Sequence, residues 1–270
     1  MKKILILAAL LMLAACAQEK GPKYLVLYYS QTNTTKAVAE QIANDLGADI
    51  EAILPVVPYE GDMGATAARS MQEAAEGKLP ELNPLTVDVN AYDVIFLGYP
   101  IWMGTYAPPV AALLATVNLD GKKIVPFCTF GSGGLDTSVN DLKAKLPNAE
   151  ILPGYGVRSA RIDAAPAEVE CFLKANGFLA GDFTPLPDFS EVRPASEEEA
   201  AIFDAAVGTY PMIHAAATEV ASRAVPGGTE YLFTAKDLPR DPTMEIPDHF
   251  IKVYVLAEDG KEPVFTQVLR

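Results

Sequence analysis

The chain has 270 residues, 50% of them hydrophobic, with 35 acidic against 21 basic side chains and a formal net charge of −14. This length and apolar content suffice for one large domain or two ordinary ones. The acidic excess argues against binding nucleic acid and against electrostatic attachment to anionic lipid. It leaves room for a basic protein partner, although such a surface also simply keeps a protein soluble.

Residues 1–15 are predicted to be a signal peptide outside the fold. Lys2 and Lys3 precede an apolar run that is too short to cross a bilayer, which takes about 20 residues. The run ends in Leu-Ala-Ala-Cys16, which resembles the lipobox of bacterial lipoproteins, where the cysteine is lipidated. We therefore expect an exported lipoprotein of the bacterial cell envelope, held to the membrane by lipidation at Cys16, with residues 16–22 as a tether. An ordinary signal peptide that contains a cysteine is the alternative.

Between residues 23 and 180, short apolar runs alternate with segments of helical periodicity, which is typical of a parallel sheet covered by helices on both faces. The predicted strands are 24–29, 49–54, 94–99, 123–129 and 150–152, with an extension of the last to 157 left open. The predicted helices are 34–46, 66–77, 108–116, 135–146 and 165–176. Five such strands fit the order 2-1-3-4-5, in which a ligand binds at the carboxyl ends of the strands, near the switch between strands 1 and 3.

That rule singles out three turns, and the first is rich in helix-capping residues. In Ser30-Gln-Thr-Asn-Thr-Thr35, every residue except Gln31 is of a type that caps helices, and no basic residue precedes Lys36. Hydroxyls and backbone N–H groups at the positive end of a helix can hold a phosphate. A helix cap without a ligand is the alternative, but a cap needs only one such residue.

The other two turns are 100–106 and 130–134. The second turn contains Trp102, the only tryptophan of the chain, and the third contains Gly131, Gly133 and Gly134. The third turn does not match the Gly-x-Gly-x-x-Gly nicotinamide fingerprint, because Asp136 occupies its last position and the turn follows the fourth strand.

With these turns in view, residues 23–180 resemble the flavodoxins, in particular the flavodoxin-like and quinone-reductase-like proteins of bacteria. The resemblance rests on the motifs at 30–35, 97–104 and 127–134. Flavodoxins hold the phosphate of FMN in a Thr/Ser-x-Thr-x-x-Thr loop, which Ser30, Thr32 and Thr35 reproduce, while Asn33 stands where a glycine is common. The cofactor-binding residues that the resemblance implies are Ser30, Gln31, Thr32, Asn33, Thr34, Thr35, Pro100, Ile101, Trp102, Met103, Gly104, Thr129, Phe130, Gly131, Gly133 and Gly134.

The same resemblance assigns roles within this set. Trp102 would stack on the isoalloxazine ring, the alternative being a core or interface tryptophan. Gly98 and Gly104 would let the backbone approach the ring near N5, and the third turn would cover its other side.

The chain changes character after residue 180. Residues 181–196 contain three prolines and no periodicity, which indicates a linker. Ser196 then begins a helix that runs to about 207, followed by predicted strands at 213–224, 229–235, 250–257 and 264–269. Residues 197–270 would thus form a small α+β domain that resembles the cystatins. The Gln-x-Val-x-Gly hairpin of inhibitory cystatins is absent at 224–228, so protease inhibition is not expected.

Together these features predict a lipid-anchored FMN-binding redox protein, either an electron carrier or a flavin-dependent reductase. Its partner would be a redox protein or a quinone. The alternative is a flavin-free binding module whose cystatin-like domain binds a protein. No acid or base residue is assigned, and no metal site is expected from His214, His249, Cys128 and Cys171. A disulfide between the two cysteines is left open.

Overall fold

The computed structural model describes residues 21–208, 210–241 and 243–270. The predicted signal peptide and Cys16 lie outside these residues. Within the described part of the chain, no helix is both long enough and apolar enough to cross a bilayer.

The first part of the chain alternates strands and helices. Its elements are β1 (Tyr24–Tyr28), α1 (Thr34–Leu46), β2 (Asp49–Ala52), α2 (Met63–Ala75), β3 (Val94–Trp102), β4 (Thr105–Tyr106), α3 (Pro108–Thr116), β5 (Lys123–Phe130), α4 (Leu135–Lys145), β6 (Glu150–Ile151), β7 (Tyr155–Arg158) and α5 (Ala165–Ala175). The second part contains β8 (Arg193–Pro194), α6 (Glu197–Val207), β9 (Ala215–Val225), β10 (Gly228–Asp237), β11 (Phe250–Glu258) and β12 (Val264–Leu269).

The first sheet is parallel, and its strands run in the order β2-β1-β3-β5-β6, with β7 also paired to β5. This confirms the predicted order 2-1-3-4-5. Alternate residues of each strand belong to two separate cores: Leu25 and Leu27 face one side, while Val26 faces the other. All three are fully buried, because helices cover both faces, and this explains why the strands are apolar throughout rather than alternating.

The helices α1 and α3 have the predicted bounds, whereas the other predicted elements of this part begin or end one or more residues away from the predicted positions. The largest differences are in three elements. Helix α2 begins at Met63 rather than 66, because the Asp62 side chain accepts a hydrogen bond from Ala65 N and caps the helix earlier. Strand β3 extends three residues further, into a hairpin with β4. The fifth strand is divided into β6 and β7 around Pro153.

The second sheet is antiparallel, in the order β12-β11-β10-β9-β8, and α6 packs on it through the fully buried Phe203. The predicted small α+β unit is therefore confirmed. The strand predicted at 213–224, a segment rich in alanine, is β9. Its hydrogen bonds begin within the predicted linker: Ser190 N donates to Ser222 O, and Ala195 N donates to Thr218 O. Cys128 is buried and Cys171 is exposed, and neither forms a disulfide.

Candidate functional site

A cavity of about 510 Å³ lies where β1, β3 and β5 end, which is the edge at which this sheet topology places ligands. Eleven of the residues singled out from the sequence line it: Ser30, Gln31, Thr32, Thr35, Pro100, Ile101, Trp102, Met103, Thr129, Phe130 and Gly131. The others, Asn33, Thr34, Gly104, Gly133 and Gly134, belong to the same turns but are not part of its lining. The structure thus brings the three turns around one cavity.

The first turn leads into α1 with its backbone donors free of side-chain caps. Asn33 is the N-cap residue and adopts the left-handed conformation (φ 63°, ψ 0°), and its side chain makes no capping hydrogen bond. Asparagine tolerates this conformation better than most residues, which explains how it replaces a glycine. The N–H groups of the first helical turn can therefore serve an anion instead of a side-chain cap.

A buried pair of hydroxyls joins the first turn to the end of β5, just before the third turn. Thr35 Oγ1 lies 2.8 Å from Thr129 Oγ1. The two side chains are 1% and 2% exposed. This bond connects the start of α1 to the end of β5, and so holds two walls of the cavity in a defined position.

The second turn is a tight hairpin between β3 and β4. Met103 and Gly104 both have positive φ angles, 51° and 88°, between the paired residues Trp102 and Thr105. Two successive positive φ angles are typical of the type I′ hairpin turn. Met103 thus has a backbone conformation that residues with a side chain rarely adopt. The hairpin places this side chain at the cavity rim, where it is 65% exposed.

Trp102 is half-buried and belongs to an aromatic cluster as well as to the cavity lining. Its ring meets those of Tyr29 and Tyr59 edge to face, with centroids 5.6 Å and 5.1 Å away. Burial raises the pKa of Tyr29 to about 12, so this tyrosine is neutral at pH 7. Trp102 thus has both a packing role and a place in the wall of the site.

The third turn fits tightly against the second. A Cβ on Gly134, whose φ is 116°, would lie 2.6 Å from Ile101 Cγ2. Only glycine combines this backbone conformation with so close an approach. On the other side, the carbonyl of Gly131 accepts a hydrogen bond from Arg158 Nε at 2.9 Å.

The N-terminal half of α2 forms a fourth wall that sequence reasoning missed. Gln31 Nε2 donates to Thr66 Oγ1 at 2.7 Å and so ties the first turn to this helix. Ser70, one helical turn further on, is 5% exposed, and its hydroxyl has no partner within the described residues. The remaining cavity residues outside the three turns are Gly61, Asp62, Met63, Ala67 and Ser159. The sequence did contain a signal for this wall. Asp62 is of a type favoured at helix N-caps, and a helix that begins after it extends closer to the first turn.

This arrangement fits an anionic, partly aromatic ligand of moderate size. Hydroxyls and helix N–H groups are available at one end, Trp102 lies along the cavity, and the unpaired Ser70 hydroxyl lies in its wall. Within the described ranges, no cluster of His, Cys, Asp or Glu side chains could hold a metal ion.

Comparison with known proteins agrees with this geometry. A family model described as flavodoxin matches residues 23–167. A candidate flavoprotein from Bacteroides uniformis is 26% identical, covers 56% of this chain and 99% of its own, and superposes with a TM-score of 0.50. A candidate flavoprotein from Bacteroides eggerthii is 29% identical with the same shares and a TM-score of 0.48. A Lactobacillus acidophilus flavoprotein in complex with FMN is 24% identical over 53% of this chain and 97% of its own, with a TM-score of 0.46. No curated protein matches the chain.

Proposed function

We propose that this chain, which belongs to the flavodoxin family, is an FMN protein that carries out redox chemistry, and that lipidation at Cys16 anchors it in the bacterial cell envelope. The observation that carries the proposal is the convergence of the hydroxyl-rich turn, Trp102 and the glycine-rich turn on one cavity. Each of these features has another explanation by itself, but only a ligand with a phosphate at one end and a flat ring at the other uses all three.

The chain's own residues would bind and orient the cofactor. The phosphate would lie at the start of α1, against Ser30, Thr32 and the N–H groups that follow Asn33. The ring would lie between the second and third turns, beside Trp102. When bound, FMN supplies the transfer of one or two electrons or of a hydride.

The proposed location follows from the sequence around Cys16, and the fold adds a consequence. Strand β1 begins at the amino edge of the parallel sheet, whereas the cavity lies at the carboxyl edge. A tether of six residues, 17–22, reaches at most about 20 Å. Membrane attachment through Cys16 would thus fall on the side of the domain away from the cavity, which favours a redox protein as partner over a quinone within the bilayer.

For residues 197–270 we propose a cystatin-like fold, without inhibitory activity. The proposal rests on α6 lying across the antiparallel sheet β12-β11-β10-β9-β8. For the whole protein, electron carrier and flavin-dependent reductase are two forms of the proposed redox function.

An absorption spectrum tests the flavin proposal. Residues 17–270, produced as a soluble protein, should show the visible bands of oxidised flavin, either as purified or after addition of FMN, and the released cofactor should be FMN rather than FAD. A colourless protein that does not bind added FMN would refute the proposal.

Fatty-acid labelling tests the lipid anchor. The full chain should incorporate labelled fatty acid and the Cys16→Ser variant should not, while equal labelling of both would exclude lipidation at this residue.

A further inference from the structure

The edge of the second sheet lies directly against the third turn of the flavin site. Val268 N, in the edge strand β12, donates to Ser132 O at 2.6 Å. A Cβ on Gly133 would lie 2.2 Å from Val268 O, so the two backbones touch. The exposed edge of a sheet offers unpaired backbone groups, and here the turn at 131–134 satisfies one of them.

Arg158 connects the same three parts of the molecule. It is the last residue of β7, and its side chain reaches the third turn through the bond from Nε to Gly131 O. Its Nη1 donates to Phe265 O at 2.8 Å, and its guanidinium carbon lies 3.4 Å from the centroid of the Phe265 ring. One side chain thus holds the parallel sheet, the third turn and strand β12 together.

The charge of Arg158 has no counter-ion among the described residues. The neighbouring Arg161 pairs with Glu168 at 2.7 Å, whereas Arg158 contacts two carbonyls and the rings of Tyr210 and Phe265. Its side chain is only 9% exposed, and burial lowers the pKa of its guanidinium, which nevertheless stays charged at pH 7. A buried cation without a carboxylate is costly, so the position of Arg158 calls for an explanation beyond packing.

We propose that Arg158 is a positioning residue that couples the C-terminal domain to the third turn, and that its positive charge favours the reduced state of the flavin. The inference rests on the proposed FMN function. Gly131 and Ser159, which line the cavity, are respectively bonded to Arg158 and adjacent to it in the chain. Reduction adds negative charge to a flavin, and a cation near the ring stabilises that charge. In this way the C-terminal domain is a working part of the redox site.

Two variants of the full chain separate position from charge. Arg158→Lys keeps the charge but cannot bridge both carbonyls, so the dissociation constant of FMN should rise by about tenfold or more while the midpoint potential stays near that of the parent. Arg158→Met should weaken FMN to a similar degree and also shift the potential to a more negative value. Arg223→Met is the control, because Arg223 pairs with Glu230 within the second sheet and should alter neither quantity.

Amide hydrogen exchange of the flavin-free protein tests the coupling independently of the flavin. Arg158→Met should accelerate exchange at Val268 and in residues 131–134, and Arg223→Met should not. If the parent protein binds no flavin, the proposed function fails, while this exchange result still decides whether Arg158 couples the two parts. Full rescue of FMN affinity by lysine would overturn the bridging role. An unchanged potential in Arg158→Met would overturn the role of the charge.

Discussion

The hydroxyl pair of Thr35 and Thr129 allows a quantitative test of how the proposed flavin site is held together. The two oxygens lie 2.8 Å apart, and both side chains are almost fully buried. Valine has nearly the shape of threonine but no hydroxyl, so Thr35→Val leaves the Thr129 hydroxyl without its partner. A buried polar group without a partner costs about 1–3 kcal/mol, and each single variant should lower the free energy of unfolding by about that amount.

The double variant Thr35→Val/Thr129→Val should recover most of this loss, because replacing both partners by apolar groups of the same shape is close to neutral. The coupling energy between the two sites, the amount by which the loss in the double variant falls short of the sum of the two single losses, should then be at least as large as one single loss, about 1–3 kcal/mol. Urea unfolding of the flavin-free protein, followed by fluorescence, measures these energies. Trp102 is the only tryptophan, so selective excitation of tryptophan reports on the parallel-sheet domain. Thr86→Val is the control, since Thr86 is exposed.

Additive losses in the double variant would refute the reasoning, because they would show that the two hydroxyls do not depend on each other. The same variant also separates stability from binding. Although its stability should return toward that of the parent, its affinity for FMN should be lower than that of the parent, because Thr35 and Thr129 both line the cavity and Thr35 lies in the turn proposed to hold the phosphate.

Three further predictions concern substitutions of single residues. Trp102→Ala should weaken FMN binding by about 1–3 kcal/mol and Trp102→Phe by less, as measured by titration of flavin fluorescence; equal affinity in the alanine variant would remove the stacking role. Gly98→Ala would place a Cβ 2.1 Å from Phe127 Cζ in the fully buried core. It should therefore destabilise the protein by about 1–3 kcal/mol, and an unchanged urea midpoint would contradict this packing. The bond from Arg193 holds the pKa of Glu199 at about 2, below its ordinary value of 4.5. This stabilisation is fully present above pH 4.5 and is lost as the pH falls toward 2. Glu199→Gln should accordingly melt below the parent at pH 7, by circular dichroism, with a gap that narrows in acid; a constant gap would exclude this linkage.

Much of the site could be predicted because its residues follow local rules. The apolar run 24–29 and the capping residues after it predict a strand, a turn and a helix, and parallel topology brings the three turns to one edge of the sheet. The predicted starts of α3 and α6 were correct, since the proline at the first turn of α3 and the N-cap serine Ser196 of α6 act within one helical turn.

What the sequence determined by itself is therefore the order of strands and helices, the sheet and the three turns of the candidate site. The tertiary structure alone decided which side chains meet across long separations. Thr35 and Thr129 are 94 residues apart, and Arg158 and Phe265 are 107 apart. The wall formed by Thr66 and Ser70 likewise depends on how α2 packs over the first turn. The physical reason is that periodicity shows which side of an element is buried, whereas the partner of a buried group is chosen by the packing of the whole chain.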